Sequence, residues 1–208
     1  MNSSFDIETI YYINPLHFQH RTTDIENVVN TLQPKYKERI TDDFGDNKKD
    51  KACMAHIRTM DRIIENKTYP ALILEDDAAF IKTDWKYNDT FDEDVDVVYL
   101  GGSLYPSINH LRLSEYNEKY YRVEGMLAQH AYILTNETST KKIQEIMRAT
   151  IGTTVYGDQA VASASKDLLF IAPKDGMYFY QNDNLTRDVT RFTWDSCGIQ
   201  LEKEEHLL

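Results

Sequence analysis

Three adjacent carboxylates, Glu75, Asp76 and Asp77, are the residues whose types and spacing point most directly to chemistry. Neighbouring carboxylates repel one another, and such a cluster persists more easily when a bound cation compensates its charge. Hard oxygen ligands select Mg²⁺ or Mn²⁺, which usually keep several waters and bridge to the phosphates of a substrate. The triplet therefore predicts a divalent-metal site, with a solvated acidic turn or a helix N-cap as the open alternatives.

The acidic triplet directly follows a short, wholly apolar run at residues 71–74. Such a run predicts a central parallel strand covered on both faces, since a strand with one wet face alternates apolar and polar residues. Ligands of open α/β sheets bind beyond the carboxyl ends of the strands. We therefore expect the three carboxylates to stand at the ligand-binding edge of a sheet.

The elements that position this edge alternate between strands and helices. Strands are predicted at residues 7–13, 71–74, 96–100, 120–123, 131–135 and 168–172. Helices are predicted at residues 24–32, 51–66, 138–150 and 158–166, where apolar residues recur at helical spacing. The charged segment 42–51 and the stretch after residue 172 are expected to be irregular. This order predicts an α/β fold, a sheet flanked by helices.

Length and charge limit the organisation and the partners of the chain. Its 208 residues fit one domain, which we place at 1–200, and we expect the charged tail at 201–208 to be a linker towards a further domain. The net charge of -11 argues against a nucleic-acid partner, because phosphate binding needs clustered Lys and Arg.

The sequence also predicts the compartment. The N-terminus has neither the basic nor the apolar region of a signal peptide, and the apolar runs are shorter than the roughly 20 residues of a membrane helix. We therefore expect a cytoplasmic protein without a membrane span. Cys53 and Cys197 are expected to be free thiols.

A collinear series of short motifs surrounds the triplet. Residues 71–80, ALILEDDAAF, resemble the ALILEDD-type signature of glycosyltransferase family 25, the lipopolysaccharide and procollagen-type transferases. Segment 53–56 resembles the family's G-C-x-x-S-H motif with one residue fewer between the cysteine and the histidine, and Ala52 and Ala55 replace its glycine and serine. Further matches, in the family's order, lie at 12–14 with Arg21, 98–101, 130–134, 155–158, and Gln181 with Asp188. The chain also resembles members of this family from large DNA viruses.

This resemblance implies a GT-A-like single domain with a mixed, mostly parallel sheet, and an inverting transfer from a nucleotide-sugar. It implies a UDP-sugar donor carrying a hexose or deoxyhexose, and a carbohydrate or glycoprotein acceptor. In the D-x-D motif of GT-A enzymes the last carboxylate binds Mn²⁺ or Mg²⁺. Asp77 has this position and Glu75 replaces the first aspartate, so Glu75 or Asp76 would hold the ribose hydroxyls or a metal-bound water.

Asp158 is the candidate general base of such a transfer. An inverting transfer needs a carboxylate that takes the proton of the acceptor hydroxyl. Asp158 follows Gly157, opens a predicted helix and stands where the family has an aspartate. Aspartate is equally a favoured N-cap residue, so the sequence leaves both roles open.

Three further residues have two readings each. Arg21 could pair with the diphosphate bidentately or form a surface salt bridge. Asn14 could contact the base or ribose of the donor, or make an Asx-turn. His56 could contact the donor or be a hydrogen-bonded core histidine.

Two other functions compete with sugar transfer. Metal-dependent phosphatases and phosphotransferases also place acids at a strand end. Those of the phosphoaspartyl type have the motif D-x-D-x-T/V. This chain has Glu75 and Ala79 at the first and fifth positions of that pattern. A non-catalytic carbohydrate-binding module of the same fold is the other alternative.

Overall fold

The computed structural model describes residues 7–41, 45, 47–80, 92, 94–103 and 112–181 of the chain. The predictions for Asp188, Cys197 and the tail at 201–208 concern residues outside these ranges. Within these ranges the chain forms ten strands and four α-helices, and eight of the strands make one large sheet. No helix among them is long and apolar enough to cross a membrane.

The strands form two sheets. Their bounds are β1 Thr9–Ile13, β2 Tyr36–Ile40, β3 Ala71–Glu75, β4 Ala78–Phe80, β5 Val97–Ser103, β6 Arg112–Glu115, β7 Tyr120–Glu124, β8 Leu127–Leu134, β9 Phe170–Pro173 and β10 Phe179–Gln181. Eight strands make one sheet in the order β2-β1-β3-β8-β5-β9-β7-β6, and β4 pairs with β10 in a second.

The large sheet is mixed and mostly parallel. β1 pairs in parallel with β2 and β3, and β5 pairs in parallel with β9. β8 runs antiparallel between β3 and β5, and β7 runs antiparallel between β9 and β6. All strands of this sheet except β7 and β8 therefore share one direction. This confirms the predicted fold class.

Helices cover both faces of the sheet. They are α1 Thr22–Leu32, preceded by a 3₁₀ helix at Leu16–Arg21, α2 Lys48–Asn66, α3 Glu137–Arg148 and α4 Gly157–Ser163. Because side chains alternate along a strand, Ile10 packs with Ile25 of α1 on one face, whereas Tyr11 packs with Ile57 of α2 on the other. Burial on both faces explains the wholly apolar run that becomes β3.

The start of α2 differs from the prediction. Segment 42–51 was expected to be a loop, but α2 begins at Lys48. The side chain of Asn47 caps the helix, because its Oδ1 accepts from the Asp50 backbone N–H at 2.9 Å and its Nδ2 donates to Asp50 Oδ2 at 2.9 Å. This reciprocal cap makes a highly charged first turn helical, which apolar spacing alone does not reveal.

Short and polar strands were not predicted. β2 lies at the edge of the large sheet and has the polar sequence YKERI, mostly exposed or half-buried. β4 and β10 have three residues each, too few to show a period. The expectation of an irregular stretch after residue 172 is therefore wrong at β10. Each predicted strand and helix overlaps an observed one.

Candidate active site

The acidic triplet lies at the end of β3 and in the turn that follows. Glu75 is the last residue of β3, directly opposite Ile13 at the end of parallel β1. Asp76 and Asp77 form the turn into β4 and are only 7% and 9% exposed. The solvated acidic turn that the sequence left open is therefore not observed.

Asp76 is fixed by side chains from the first elements of the chain. Asn14 Nδ2 donates to Asp76 Oδ2 at 3.2 Å, and Arg21 Nη1 donates to Asp76 Oδ1 at 2.9 Å. Asn14 is fully buried, donates also to the Phe18 carbonyl at 3.2 Å, and accepts from the Thr22 hydroxyl at 2.7 Å. Both oxygens of Asp76 are therefore engaged within the protein, and Asn14 holds the turn in place.

Arg21 is shared between the two aspartates. Its Nη1 also donates to Asp77 Oδ2 at 3.2 Å, and its side chain is 21% exposed. Burial lowers the pKa of Arg21, but the bond to Asp76 and the charges of both aspartates outweigh it and raise that pKa. Arg21 is thus a partly buried ion-pair partner, and the surface salt bridge is not observed.

Asp77 is the least compensated carboxylate of the triplet. Its Oδ2 accepts from Arg21 and, at 3.1 Å, from Gln181 Nε2 on β10. Its Oδ1 is buried and has no hydrogen-bond partner among the described residues. Burial and the charge of Glu75 raise the pKa of Asp77 to about 6, while the bond from Gln181 opposes the rise.

The donor set around Asp77 fits a cation that keeps open coordination positions. Across the described residues, no group of three or more His, Cys, Asp or Glu is arranged to hold a metal ion. Mg²⁺ is commonly bound through one or two carboxylates, with water and substrate phosphate supplying the remaining ligands. The unpartnered oxygen of Asp77 suits that mode, and a closed all-protein site does not form.

Glu75 is hydrogen-bonded to a buried histidine, which is in turn hydrogen-bonded to a buried tyrosine. His56 Nε2 lies 2.9 Å from Glu75 Oε1, and His56 Nδ1 lies 2.9 Å from the Tyr132 hydroxyl. Burial raises the pKa of Glu75, but its hydrogen bond with His56 and nearby positive charge bring that pKa below its usual value. Burial raises the pKa of Tyr132 well above its usual value. His56 is therefore a hydrogen-bonded core histidine that contacts the triplet through Glu75, and its contact with the donor stays a prediction.

Asp158 lies at the start of α4, away from the N-cap position. Tyr156 precedes the helix as its N-cap residue, and Asp158 is the second helical residue. Asp158 is half-buried, and its Oδ1 accepts from the Gln159 backbone N–H at 2.9 Å. Burial raises the pKa of Tyr99 on β5, and the charge of Asp158 acts in the same direction, so the carboxylate lies near that buried phenol. The structure thus brings together Asn14, Arg21 and the triplet, with Asp158 on a separate element.

His130 on β8 is a further buried polar group near the triplet. Neither of its ring nitrogens has a hydrogen-bond partner of good geometry among the described residues. Burial lowers the pKa of His130, while Glu75 and the Phe179 backbone act in the opposite direction. A Cβ on Gly101 would lie 2.7 Å from the His130 ring, so this glycine makes room for the imidazole.

Two residues of this site were not predicted as site residues. Gln181 had only its place in the family resemblance as a signal, because the strand that carries it is too short to recognise. Tyr132 lies among the apolar residues Ala131, Ile133 and Leu134 of β8. A buried phenol usually needs a hydrogen-bond partner, so a tyrosine in a predicted core strand is a signal for a polar contact.

Comparisons with known sequences do not identify a family. No protein-family model matches the chain, and no curated protein matches it significantly. The resemblance to glycosyltransferase family 25 is therefore not shown by either comparison.

Comparisons with solved structures return matches of low identity. A glycosyltransferase involved in the glycosylation of the major capsid of PBCV-1 is 10% identical, with 82% of this chain and 96% of that chain covered and a TM-score of 0.46. A197 from STIV is 14% identical, with 79% and 81% covered and a TM-score of 0.42. UDP-glucose pyrophosphorylase complexed with UDP-glucose is 15% identical, with 76% of this chain covered and a TM-score of 0.41. This chain spans 65% of the pyrophosphorylase. At these values, function has to be argued from the site itself.

Proposed function

We propose that this chain is a divalent-metal-dependent glycosyltransferase that takes its sugar from a nucleotide-sugar. The observation that carries the proposal is Asp77, with a buried Oδ1 that lacks a partner among the described residues and a pKa raised to about 6. An unpartnered buried polar atom in a folded protein calls for an explanation, and coordination of a cation is one. Its place beyond the end of a parallel strand is where α/β sheets bind ligands.

The chemistry of sugar transfer accounts for the charges at this site. Breaking the bond between the sugar and the diphosphate leaves negative charge on the phosphate oxygens. A Mn²⁺ or Mg²⁺ ion held by Asp77 would supply a Lewis acid for that charge. Arg21 bonds to both aspartates through Nη1, so other guanidinium N–H groups remain for the diphosphate.

We assign the ribose contact to Glu75 rather than to Asp76. Both oxygens of Asp76 are already hydrogen-bonded inside the protein. Glu75 uses Oε1 for His56 and keeps 29% of its side chain exposed. A carboxylate of this kind can accept a hydrogen bond from a donor hydroxyl. Asn14 then contributes by holding Asp76, and through it the turn.

Asp158 is the proposed base of an inverting transfer. A half-buried carboxylate at the start of a helix can accept the proton of an acceptor hydroxyl as that oxygen attacks the anomeric carbon. The bond between the sugar and the diphosphate breaks as the new glycosidic bond forms. The proton remains on Asp158 and the electron pair leaves with the nucleoside diphosphate. A UDP-sugar donor and a glycan or glycoprotein acceptor follow from the family resemblance.

Nucleotide release from UDP-sugars tests the proposal. The purified chain is incubated with a panel of UDP-sugars and Mn²⁺, with and without excess chelator, and the nucleotide products are separated. We expect metal-dependent release of UDP by the wild-type chain and its loss in Asp77→Asn. Asp167→Asn, which changes an exposed aspartate beyond α4, serves as the control and should release UDP like the wild type.

Three outcomes would contradict the proposal. Undiminished UDP release in excess chelator would remove the metal from the mechanism. Formation of UTP from a UDP-sugar and pyrophosphate would identify a nucleotidyltransferase instead. Binding of UDP-sugars without any turnover, across a panel of glycan acceptors and water, would identify a non-catalytic module.

A further inference from the structure

Two buried side chains, His56 and Tyr132, lie next to Glu75 and have no role in the chemistry proposed above. His56 comes from the middle of α2 and Tyr132 from β8, and both are buried. The imidazole lies between the phenol and the carboxylate, 2.9 Å from each. Residues from β8, α2 and β3 therefore form one chain of hydrogen bonds, from Tyr132 through His56 to Glu75.

The direction of these hydrogen bonds follows from the groups themselves. An ionised carboxylate only accepts, so His56 Nε2 must carry the hydrogen that is donated to Glu75 Oε1. In a neutral imidazole the other nitrogen, Nδ1, is then an acceptor, and the Tyr132 hydroxyl donates to it. The phenol thus selects the tautomer of His56 that can bind the carboxylate.

The surroundings of the pair make it rigid. Tyr132 lies directly opposite Tyr99 in the antiparallel pairing of β5 and β8, and Tyr99 packs edge-on against Phe170. The His56 ring lies on α2, whose neighbours Ile57 and Met60 are fully buried in the core. Groups held this way fix the geometry of a site more tightly than loop residues do.

We propose that His56 and Tyr132 are positioning residues for ribose recognition, which hold Glu75 so that its second oxygen accepts from a ribose hydroxyl of the donor. The inference rests on the proposed function and deepens it, because it commits the site to ribonucleoside diphosphates. With Oε1 taken by His56, the remaining oxygen belongs to a side chain that is still 29% exposed. A donor without that hydroxyl leaves the oriented carboxylate unpaired, and this costs binding.

Calorimetric binding of UDP and of its 2′-deoxy and 3′-deoxy analogues, in the presence of Mn²⁺, tests the inference. For the wild-type chain we expect one of the two deoxy analogues to bind about 10- to 100-fold more weakly than UDP, the range for a hydrogen bond to a charged group. Tyr132→Phe and His56→Leu should reduce this ratio to a few-fold. His56→Gln should retain part of it, because its amide N–H can still donate to Glu75.

Tyr11→Phe is the matched control. Tyr11 is as buried as Tyr132, and its hydroxyl lies 2.9 Å from Thr68 Oγ1 in the same core. Its loss should lower the melting temperature about as much as Tyr132→Phe does, yet leave the ratio between UDP and its analogues unchanged. A merely structural role for Tyr132 would make the two variants behave alike in both measurements.

The failure of the inference and that of the proposed function give different results. No binding of UDP by the wild-type chain overturns the proposed function and the inference together. UDP binding without discrimination by the wild type overturns the ribose contact. Wild-type discrimination that survives in folded Tyr132→Phe and His56→Leu overturns the positioning role alone. In a Glu75→Gln background, Tyr132→Phe should have no further effect on the ratio, and an additive effect would contradict the coupling.

Discussion

Gln181 donates its side-chain amide to Asp77 Oδ2 at 3.1 Å across 104 residues of sequence. β10 brings it there, since this strand pairs antiparallel with β4 and sets Gln181 opposite Ala78. The bond favours the ionised carboxylate and so opposes the rise that burial imposes on the pKa of Asp77. The short second sheet therefore favours the ionised form of the proposed metal ligand.

Gln181→Leu should shift metal binding to higher pH. Without the amide donor the pKa of Asp77 rises above about 6, since burial and Glu75 then act with less opposition. A proton and a cation compete for the carboxylate, so affinity falls roughly tenfold per pH unit below that pKa. The free Mn²⁺ signal in electron paramagnetic resonance, followed from pH 5 to 8, measures the midpoint. Tyr180→Phe is the control, and an unmoved midpoint in Gln181→Leu would refute the role of the bond.

Asp77→Asn should not destabilise the metal-free protein at neutral pH. The folded-state pKa of about 6 lies above the ordinary 3.8, so this group contributes stability below about pH 4 that is lost as pH rises to about 6. The amide avoids that loss. We expect a melting temperature at pH 7.5 equal to or above that of the wild type, and no such gain at pH 4.

Mn²⁺ gives the complementary measurement on the same variant. By mass action, a saturating ion should raise the melting temperature of the wild type at pH 7.5 and leave Asp77→Asn unchanged. Equal stabilisation of both proteins would locate the ion elsewhere.

Asp158→Asn should separate catalysis from helix stability. If Asp158 takes the acceptor proton, transfer falls by roughly 10²- to 10⁴-fold, while the affinities for metal and donor stay the same. Because Asp158 lies in the first turn of α4 and Tyr156 is the N-cap residue, the lost charge should cost less than about 1 kcal/mol. Steady-state rates and urea unfolding measure both effects. Near-wild-type transfer by this variant would exclude Asp158 as the base.

Uridine diphosphate should bind more tightly than guanosine or cytidine diphosphate. This expectation comes from the family resemblance, since no described residue has been assigned to the nucleobase. Calorimetry of the three nucleotides at saturating Mn²⁺ measures the order. If either of the other two binds at least as tightly, the expectation of a uridine diphosphate donor is wrong.

Gly101→Ala should destabilise the core beside the site. The added Cβ would lie 2.7 Å from the His130 ring, closer than real contacts allow, and 3.0 Å from the Phe179 Cβ, which is a tight contact. Overpacking of this kind costs about 1–3 kcal/mol. Urea unfolding measures the loss. The pair Gly101→Ala with His130→Ala should recover part of it relative to the sum of the single changes, and strict additivity would argue against a steric cause.

Local patterns were enough to predict where the acidic triplet lies in the fold. The run before Glu75 is wholly apolar because both faces of a central strand are buried. This pattern predicts the strand and, with it, the position of the triplet at its end. The helix that carries His56 followed in the same way from its apolar spacing. Each of these predictions depends on residues within about one element of each other.

The contacts that complete the site depend on pairing between distant segments. Nothing near Gln181 indicates that its strand returns to β4, and nothing near Tyr132 indicates that its hydroxyl meets His56. Arg21 also bonds to carboxylates that lie more than fifty residues away. Such partners are set by the order of strands in the sheet, which sequence periodicity does not specify.

The pairing of β4 with β10 also has a consequence for the time at which the site forms. Segments so far apart must close a long loop before their contacts contribute, which makes this pairing slow relative to the formation of α1 or α2. Synthesis delivers Gln181 104 residues after Asp77. A nascent chain therefore has its acidic turn without the strand that covers it while these residues are added, and we expect the surroundings of Asp77 to be completed late.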